Sequence, residues 1–211
     1  MSFVEPPFWS RAGWRAPAHV ALRWVAPVTP PTEPITVVEA RDFLRVSTVD
    51  DDALINRYIT TARCYVERRI ERPIVAHTLD VLFDRVYPSP WLTLPIGSVL
   101  AVTSITSTND AGVATVLAPS AYVVDLASTP ARLGLAAGGT WPSDVRALQG
   151  VAIRVEVGLV PVPEDLVHAL RLLVGHYYEN RMASVGDERV DAALPFGVDE
   201  LLAPYEMVSL A

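Results

Sequence analysis

Few residues in this sequence are of a type and spacing that could do chemistry. The four histidines, His19, His77, His168 and His176, are scattered, and none stands in a His-Glu-x-x-His or Cys-x-x-Cys arrangement. A zinc site is therefore not expected. His168 and His176 fall about two turns apart on one predicted helix and read as solvated or hydrogen-bonded structural histidines. The run Asp50-Asp51-Asp52 could be mistaken for a metal site. Three carboxylates at a helix start are explained by N-capping and the helix dipole. Glu164 and Asp165 are adjacent, but nothing in the pattern places them in a cleft with matched pKa values for acid–base work.

Phosphate and nucleophile motifs are missing as well. The sequence has no lysine, so Gly-x-x-x-x-Gly-Lys cannot occur, and it has neither Gly-x-Gly-x-x-Gly nor Gly-x-Ser-x-Gly. Gly138-Gly139-Thr140 lacks a strand-turn-helix context and reads as a flexible turn. The single cysteine, Cys64, cannot form an intramolecular disulfide and reads as a small core residue in a reducing compartment. No catalytic residue, cofactor or metal is expected, and the function is sought in surfaces.

Composition supports that direction. Apolar residues make up 51% of the 211 residues and charged residues 19%, an apolar balance that leaves surface for an interface. All 17 basic residues are arginine. Codon bias in a GC-rich genome accounts for this, and an arginine-only surface also suits desolvated protein contacts. The net charge of -7 argues against a protein that wraps nucleic acid, which needs cations to neutralise phosphates. No stretch approaches the roughly 20 apolar residues of a membrane span, and no basic-then-apolar leader opens the chain. Synthesis in the cytosol, with no membrane partner, is expected.

The elements that would position any surface follow from periodicity. Residues 1–34 hold Trp9, Trp14 and Trp24 and seven prolines, without a helical or alternating period, and read as an extended arm. Its tryptophans either anchor a partner or pack on their own domain. Thr36-Val-Val-Glu39 has the form of a capping box opening a helix over 36–46. A second helix over 49–72 carries Leu54, Ile55, Tyr58, Ile59, Ala62, Val66 and Ile70 at a 3.6-residue period, and Pro73 closes it. Over 74–160 the pattern changes to short strands: His77–Val86, Trp91–Leu94, Val102–Ser107, Tyr122–Leu126 and Val151–Val157, with a hairpin turn at Asn109–Gly112. Pro163-Glu164-Asp165 opens a long helix over 163–181, with Leu166, Val167, Leu170, Leu173, Val174, Tyr177 and Tyr178 on its buried stripe. Residues 183–211 form a polar loop, a short helix near Val198 to Leu202 and a tail. The expected fold class is α+β: a small helical bundle of two N-terminal helices and a long C-terminal helix, with an inserted β module and extended terminal arms. The core spans 35–182.

The order of these features resembles the head-tail connector, or adaptor, family of tailed phages, also found in gene transfer agents. Over roughly residues 35 to 206 the resemblance rests on Val37-Val-Glu-Ala40 with Phe43-Leu-Arg-Val46, the Asp50 to Asp52 helix start, Tyr122-Val-Val-Asp125 followed by Pro130-Ala-Arg132, the helix end Tyr177-Tyr178-Glu179-Asn180-Arg181, Leu194-Pro-Phe-Gly-Val198 and Leu201-Leu-Ala-Pro-Tyr205. The arm 1–34 lies outside it. The resemblance implies a structural subunit of the virion neck, a ring commonly of twelve copies between the capsid portal and the tail-side stopper, with DNA passing through the lumen. An acidic lumen would repel phosphates and let DNA slide.

Two surfaces are expected to make the contacts. The segment from Leu194 onward carries Phe196, Leu201, Leu202, Tyr205, Met207, Val208 and Leu210, more apolar residues than one core needs, and is expected to bind the portal. Trp9, Trp14 and Trp24 are expected to dock the arm on a neighbouring subunit or a tail-side protein. The competing readings are a stopper or tail terminator, against which the two long helices argue, and a DNA-packaging accessory, which would need a basic stripe.

Overall fold

The computed structural model describes residues 20–25, 32–84, 91–180 and 197–206. It is α+β and divides into two compact units, one of Met1–Pro31 with Ala76–Gly158 and one of Thr32–Val75 with Leu159–Ala211.

The second unit is helical. Helix α1, Val37–Leu44, starts at a complete capping box: Glu39 N–H donates to Thr36 Oγ1 at 3.2 Å, and Thr36 N–H donates back to Glu39 Oε2 at 2.7 Å. Arg45 ends it in a left-handed conformation. Helix α2, Asp52–Ile70, buries Ile55, Ile59, Ala62, Val66 and Ile70 to 1% exposure or less, the stripe its period predicts. Helix α3, Glu164–Glu179, buries Leu166, Val167, Ala169, Leu170, Leu173 and Val174. Helix α4, Val198–Leu202, adds Val198 and Leu202 to the same apolar core. Tyr177 and Tyr178 are half-buried against it.

The Asp50 to Asp52 run does not cap as expected. Asp51 occupies the N-cap of α2 without a side-chain capping bond, because its Oδ2 accepts from the Tyr178 hydroxyl at 2.6 Å. Asp52 instead pairs with Arg41 at 3.2 Å. This acidic start holds the helices to one another.

The first unit is built of eight antiparallel strands among the described residues. One sheet has the order β1 (Val20–Trp24), β2 (His77–Phe83), β8 (Val151–Val157), β4 (Val99–Thr108), β5 (Ala114–Val116). The other has the order β3 (Trp91–Thr93), β7 (Arg132–Leu135), β6 (Tyr122–Asp125). Strand β8 alternates as its sequence promises, with Val151, Ile153, Val155 and Val157 inward and Arg154 and Glu156 outward. The inward residues meet Leu79, Val81, Phe83, Ile105, Leu94 and Leu133 in one core shared by both sheets. The β4–β5 hairpin turns at Asn109–Gly112. Gly112 takes φ +79, and Asn109 Oδ1 accepts from Val113 N–H at 2.9 Å.

Sequence reading missed β1, β5 and β7. Strand β1 lies in the segment read as an arm; its Val20, Leu22 and Trp24 do alternate with Ala21 and Arg23, but over five residues among prolines. Strands β5 and β7 are three and four residues long, too short for a period to emerge.

Candidate assembly surfaces

The C-terminal element of the helical unit is tied down at several points. Gly197 stands at φ +91, a conformation only glycine holds cheaply, and turns the chain into α4. Val198 and Leu202, one turn apart, are fully buried in the helical core, with Leu201 and Tyr205 packed partly against it. The Tyr205 hydroxyl donates to Asp165 Oδ2 at 3.2 Å. Arg69, at the end of α2, pairs with Asp199 at 3.4 Å and with Glu206.

A second polar group lies deeper in this unit. Glu67 and Arg63 are 4% and 8% exposed. Arg63 Nη1 donates to Glu67 Oε2 at 2.8 Å and Arg63 Nε to Glu33 Oε2 at 2.8 Å, while Glu67 Oε1 accepts the Ile74 amide at 2.9 Å. The cluster fixes residues on both sides of α2 in place. Burial pushes the Glu67 carboxyl above its ordinary value against the opposing pull of Arg63 and the amides. Cys64 beside it is half-buried, and burial raises its thiol pKa, the reverse of a reactive thiolate.

The sheet unit turns a charged face outward. Asp80, in the centre of β2, is 2% exposed and receives Arg154 Nε at 2.8 Å, Arg154 Nη2 at 3.2 Å and Arg23 Nη2 at 2.7 Å. Burial alone would raise its pKa, but the two guanidinium groups outweigh it and hold the carboxyl below the ordinary range. With Arg146, Ser104, Thr106 and Thr108 this row lines a groove of about 280 Å³. Sequence reading passed over this cluster, although an aspartate in His77-Thr-Leu-Asp-Val-Leu-Phe83 was a signal that a cation must face it across the sheet.

The same unit leaves apolar side chains in the open: Trp91 at 55%, Val113 at 59%, Val116 at 63%, Val123 at 62% and Leu148 at 72% exposure. Among the described residues no group of three or more His, Cys, Asp or Glu could hold a metal ion, and no helix is long and apolar enough to cross a membrane.

Residues 34–111, from the first helix through the β4–β5 turn, match the model of the phage gp6-like head-tail connector protein family. Over that stretch the chain is similar to the head-tail connectors. Among solved structures, this chain is similar to one in the neck of a native gene transfer agent particle computed with C12 symmetry, at 27% identity and TM-score 0.67, covering 90% of this chain and 97% of that one. It is similar in fold to a chain in the neck of an empty gene transfer agent particle computed with C6 symmetry, at 24% identity, TM-score 0.68 and the same coverage. A chain from the virion of a native gene transfer agent particle matches at 24% identity and TM-score 0.65, again over 90% and 97%. No curated protein matches this chain.

The surface residues expected from sequence divide into four groups. Leu202 is fully buried in the helical core and presents nothing to a partner, because α4 folds back onto α2 and α3. Leu201 and Tyr205 are partly buried there. Leu194, Phe196, Met207, Val208 and Leu210, with Trp9 and Trp14, lie outside the described residues. Trp24 is the last residue of β1, a position in the sheet edge.

Proposed function

We propose that this chain is a non-catalytic structural subunit of the neck of a phage or phage-like particle. It is an adaptor that assembles as a ring, meets the portal on the capsid side and a stopper or other neck protein on the tail side, and lets DNA pass through its centre. The observation that carries this reading is the 27% identical chain from a C12-symmetric neck, matched over 90% of this chain and 97% of that one. The connector family match over 34–111 supports the same reading. Twelve copies at -7 each make an acidic ring, which favours sliding DNA over bound DNA.

Within this reading the core is 35–182, a helical bundle with its β insert, flanked by the arm 1–34 and the tail 183–211. The portal contact falls to Leu194, Phe196, Met207, Val208 and Leu210, which flank the anchored α4. Leu201 and Tyr205 contribute their exposed parts. Trp9, Trp14 and Trp24 hold the arm on a neighbour or a tail-side protein.

Negative-stain microscopy of the purified full chain, alone and with portal, tests the proposal. Rings that join portal are expected. A monomer that never joins portal would overturn it. Ending the chain after Glu206 removes Met207, Val208 and Leu210 while sparing the Leu202 anchor, so lost portal capture by that variant would locate the contact.

A further inference from the structure

The five-stranded sheet has two edges, β1 and β5. Because every neighbouring pair is antiparallel, the first and fifth strands run in the same direction. On β5, the Leu117 amide donates to Ile105 O and the Asn109 amide to Val113 O, both at 3.0 Å or less. The residues that bond inward are thus Val113, Thr115 and Leu117. Those that alternate with them, Ala114 and Val116, turn their N–H and C=O groups away from β4. On β1, the Val25 amide bonds to Thr78 O, which by the same alternation turns the backbone groups of Val20, Leu22 and Trp24 outward. Among the described residues nothing pairs with either row.

Edge strands are ordinarily guarded by charges, prolines or bulges, since an open row of donors and acceptors recruits another strand. Strand β5 has none of these. From Val113 to Ala118 there is no charged residue and no proline, and Val113 and Val116 are 59% and 63% exposed. On β1 the one charge, Arg23, is neutralised by Asp80 at 2.7 Å. No like charges oppose the approach of one edge to the other.

We infer that β5 of one copy pairs with β1 of the next, joining the sheets head to tail around the ring; this rests on the ring reading above. The occupant is a second copy because the two edges are complementary in direction. Rotation about a common axis brings β1 alongside β5 in parallel, with the core-side residues Val20 and Leu22 on the same side as Val113 and Leu117. Each copy uses two different edges, the heterologous contact that closes a ring. Pairing of β5 with β5 would be two-fold and would stop at a dimer.

The test uses the full chain with Cys64→Ser as background, in sedimentation velocity and oxidative cross-linking. Val116→Pro deletes an outward amide without touching the bonds to β4, and should weaken self-association about tenfold, the equivalent of one or two lost hydrogen bonds. Val116→Lys, which keeps the amide and adds a guarding charge, should do the same if the proline variant misfolds. Ala21→Cys with Val116→Cys, both on the outer face, should cross-link into a ladder extending beyond dimers. A ladder supports the pairing. Dimers from Val116→Cys alone would show a β5–β5 contact and overturn it. Rings that form without any cross-link, or that are unmoved by both Val116 variants, would overturn the edge pairing and leave the neck reading standing; absence of rings in the unaltered chain would count against that reading itself.

Discussion

The helical and sheet units differ in how their ends and their buried carboxylates are treated. In the helical unit even the C-terminal α4 turns inward, placing Val198 and Leu202 in the core at full burial. In the sheet unit Trp91, Val113, Val116, Val123 and Leu148 are all more than half exposed, and β5 ends the sheet with an uncharged edge. Their buried carboxylates differ too. Glu67 lies deep in the helical core with Arg63 and has its pKa raised by burial, whereas Asp80 is reached by arginines whose own side chains are 45% and 59% exposed, and its pKa is lowered. The helical unit also leaves Val38, Val49 and Val160 more than half exposed, so what sets the sheet unit apart is its uncharged β5 edge and its solvated Asp80 cluster.

The contrast can be broken by truncating the helical core. Leu170→Ala removes a fully buried side chain from α3 and should cost about 3 kcal/mol, the transfer term plus the cavity left behind. Trp91 and Trp141 lie in the sheet unit and report it by fluorescence, while far-UV circular dichroism is dominated by the helices. Denaturant titration followed by both probes should show the dichroism midpoint falling further than the fluorescence midpoint. Equal shifts would mean that the two cores unfold as one.

The next test sets the two carboxylates against each other. Glu67→Gln and Asp80→Asn each weaken a charged cluster and should cost about 2 kcal/mol and about 1 kcal/mol respectively at neutral pH, the second being smaller because its arginines are partly solvated. The pH dependences have opposite signs. Asp80 binds its proton less tightly folded than unfolded, so its contribution is full above its ordinary value near 3.8 and is lost as pH falls through the folded value. The penalty of Asp80→Asn should therefore shrink with acidification. Glu67 binds its proton more tightly when folded, so its contribution is lost as pH rises through its raised folded value. The penalty of Glu67→Gln should grow as pH falls towards 4.5, the ordinary value for this group. Parallel pH profiles for the two variants would erase the distinction.

How far each region could be read from sequence follows the same division. A helix of 19 residues repeats its period several times, so Ile55, Ile59, Ala62, Val66 and Ile70 announced α2, and the Thr36–Glu39 box marked the start of α1. Strand β8 was legible because it alternates over seven residues. Strands β5 and β7 offer no such repeat, and β1 is a strand chiefly because β2 lies beside it. The charged row on the outer sheet face joins Arg23, Asp80 and Arg154, whose meeting depends on register. The expected C-terminal surface was overcounted for a related reason. Leu202 is apolar whether it faces a partner or its own core, and only the return of α4 decides between them.

That return gives the smallest and most local test. Tyr205 reaches Asp165 through one partly exposed hydrogen bond, and Arg69 holds Asp199 and Glu206 through ion pairs with side chains 37–54% exposed. Exposed pairs of this kind contribute little, so Tyr205→Phe or Arg69→Ala should each cost about 0.5 kcal/mol of global stability. Their effect should fall on the attachment of α4, where amide exchange at Leu201 and Leu202 reports local opening without global unfolding. Faster exchange there, with an unchanged denaturation midpoint, is the expected pattern. If Arg69→Ala left that exchange unmoved while Leu202→Ala accelerated it, burial alone would hold α4, and its ion pairs would be incidental to how the segments flanking it are presented.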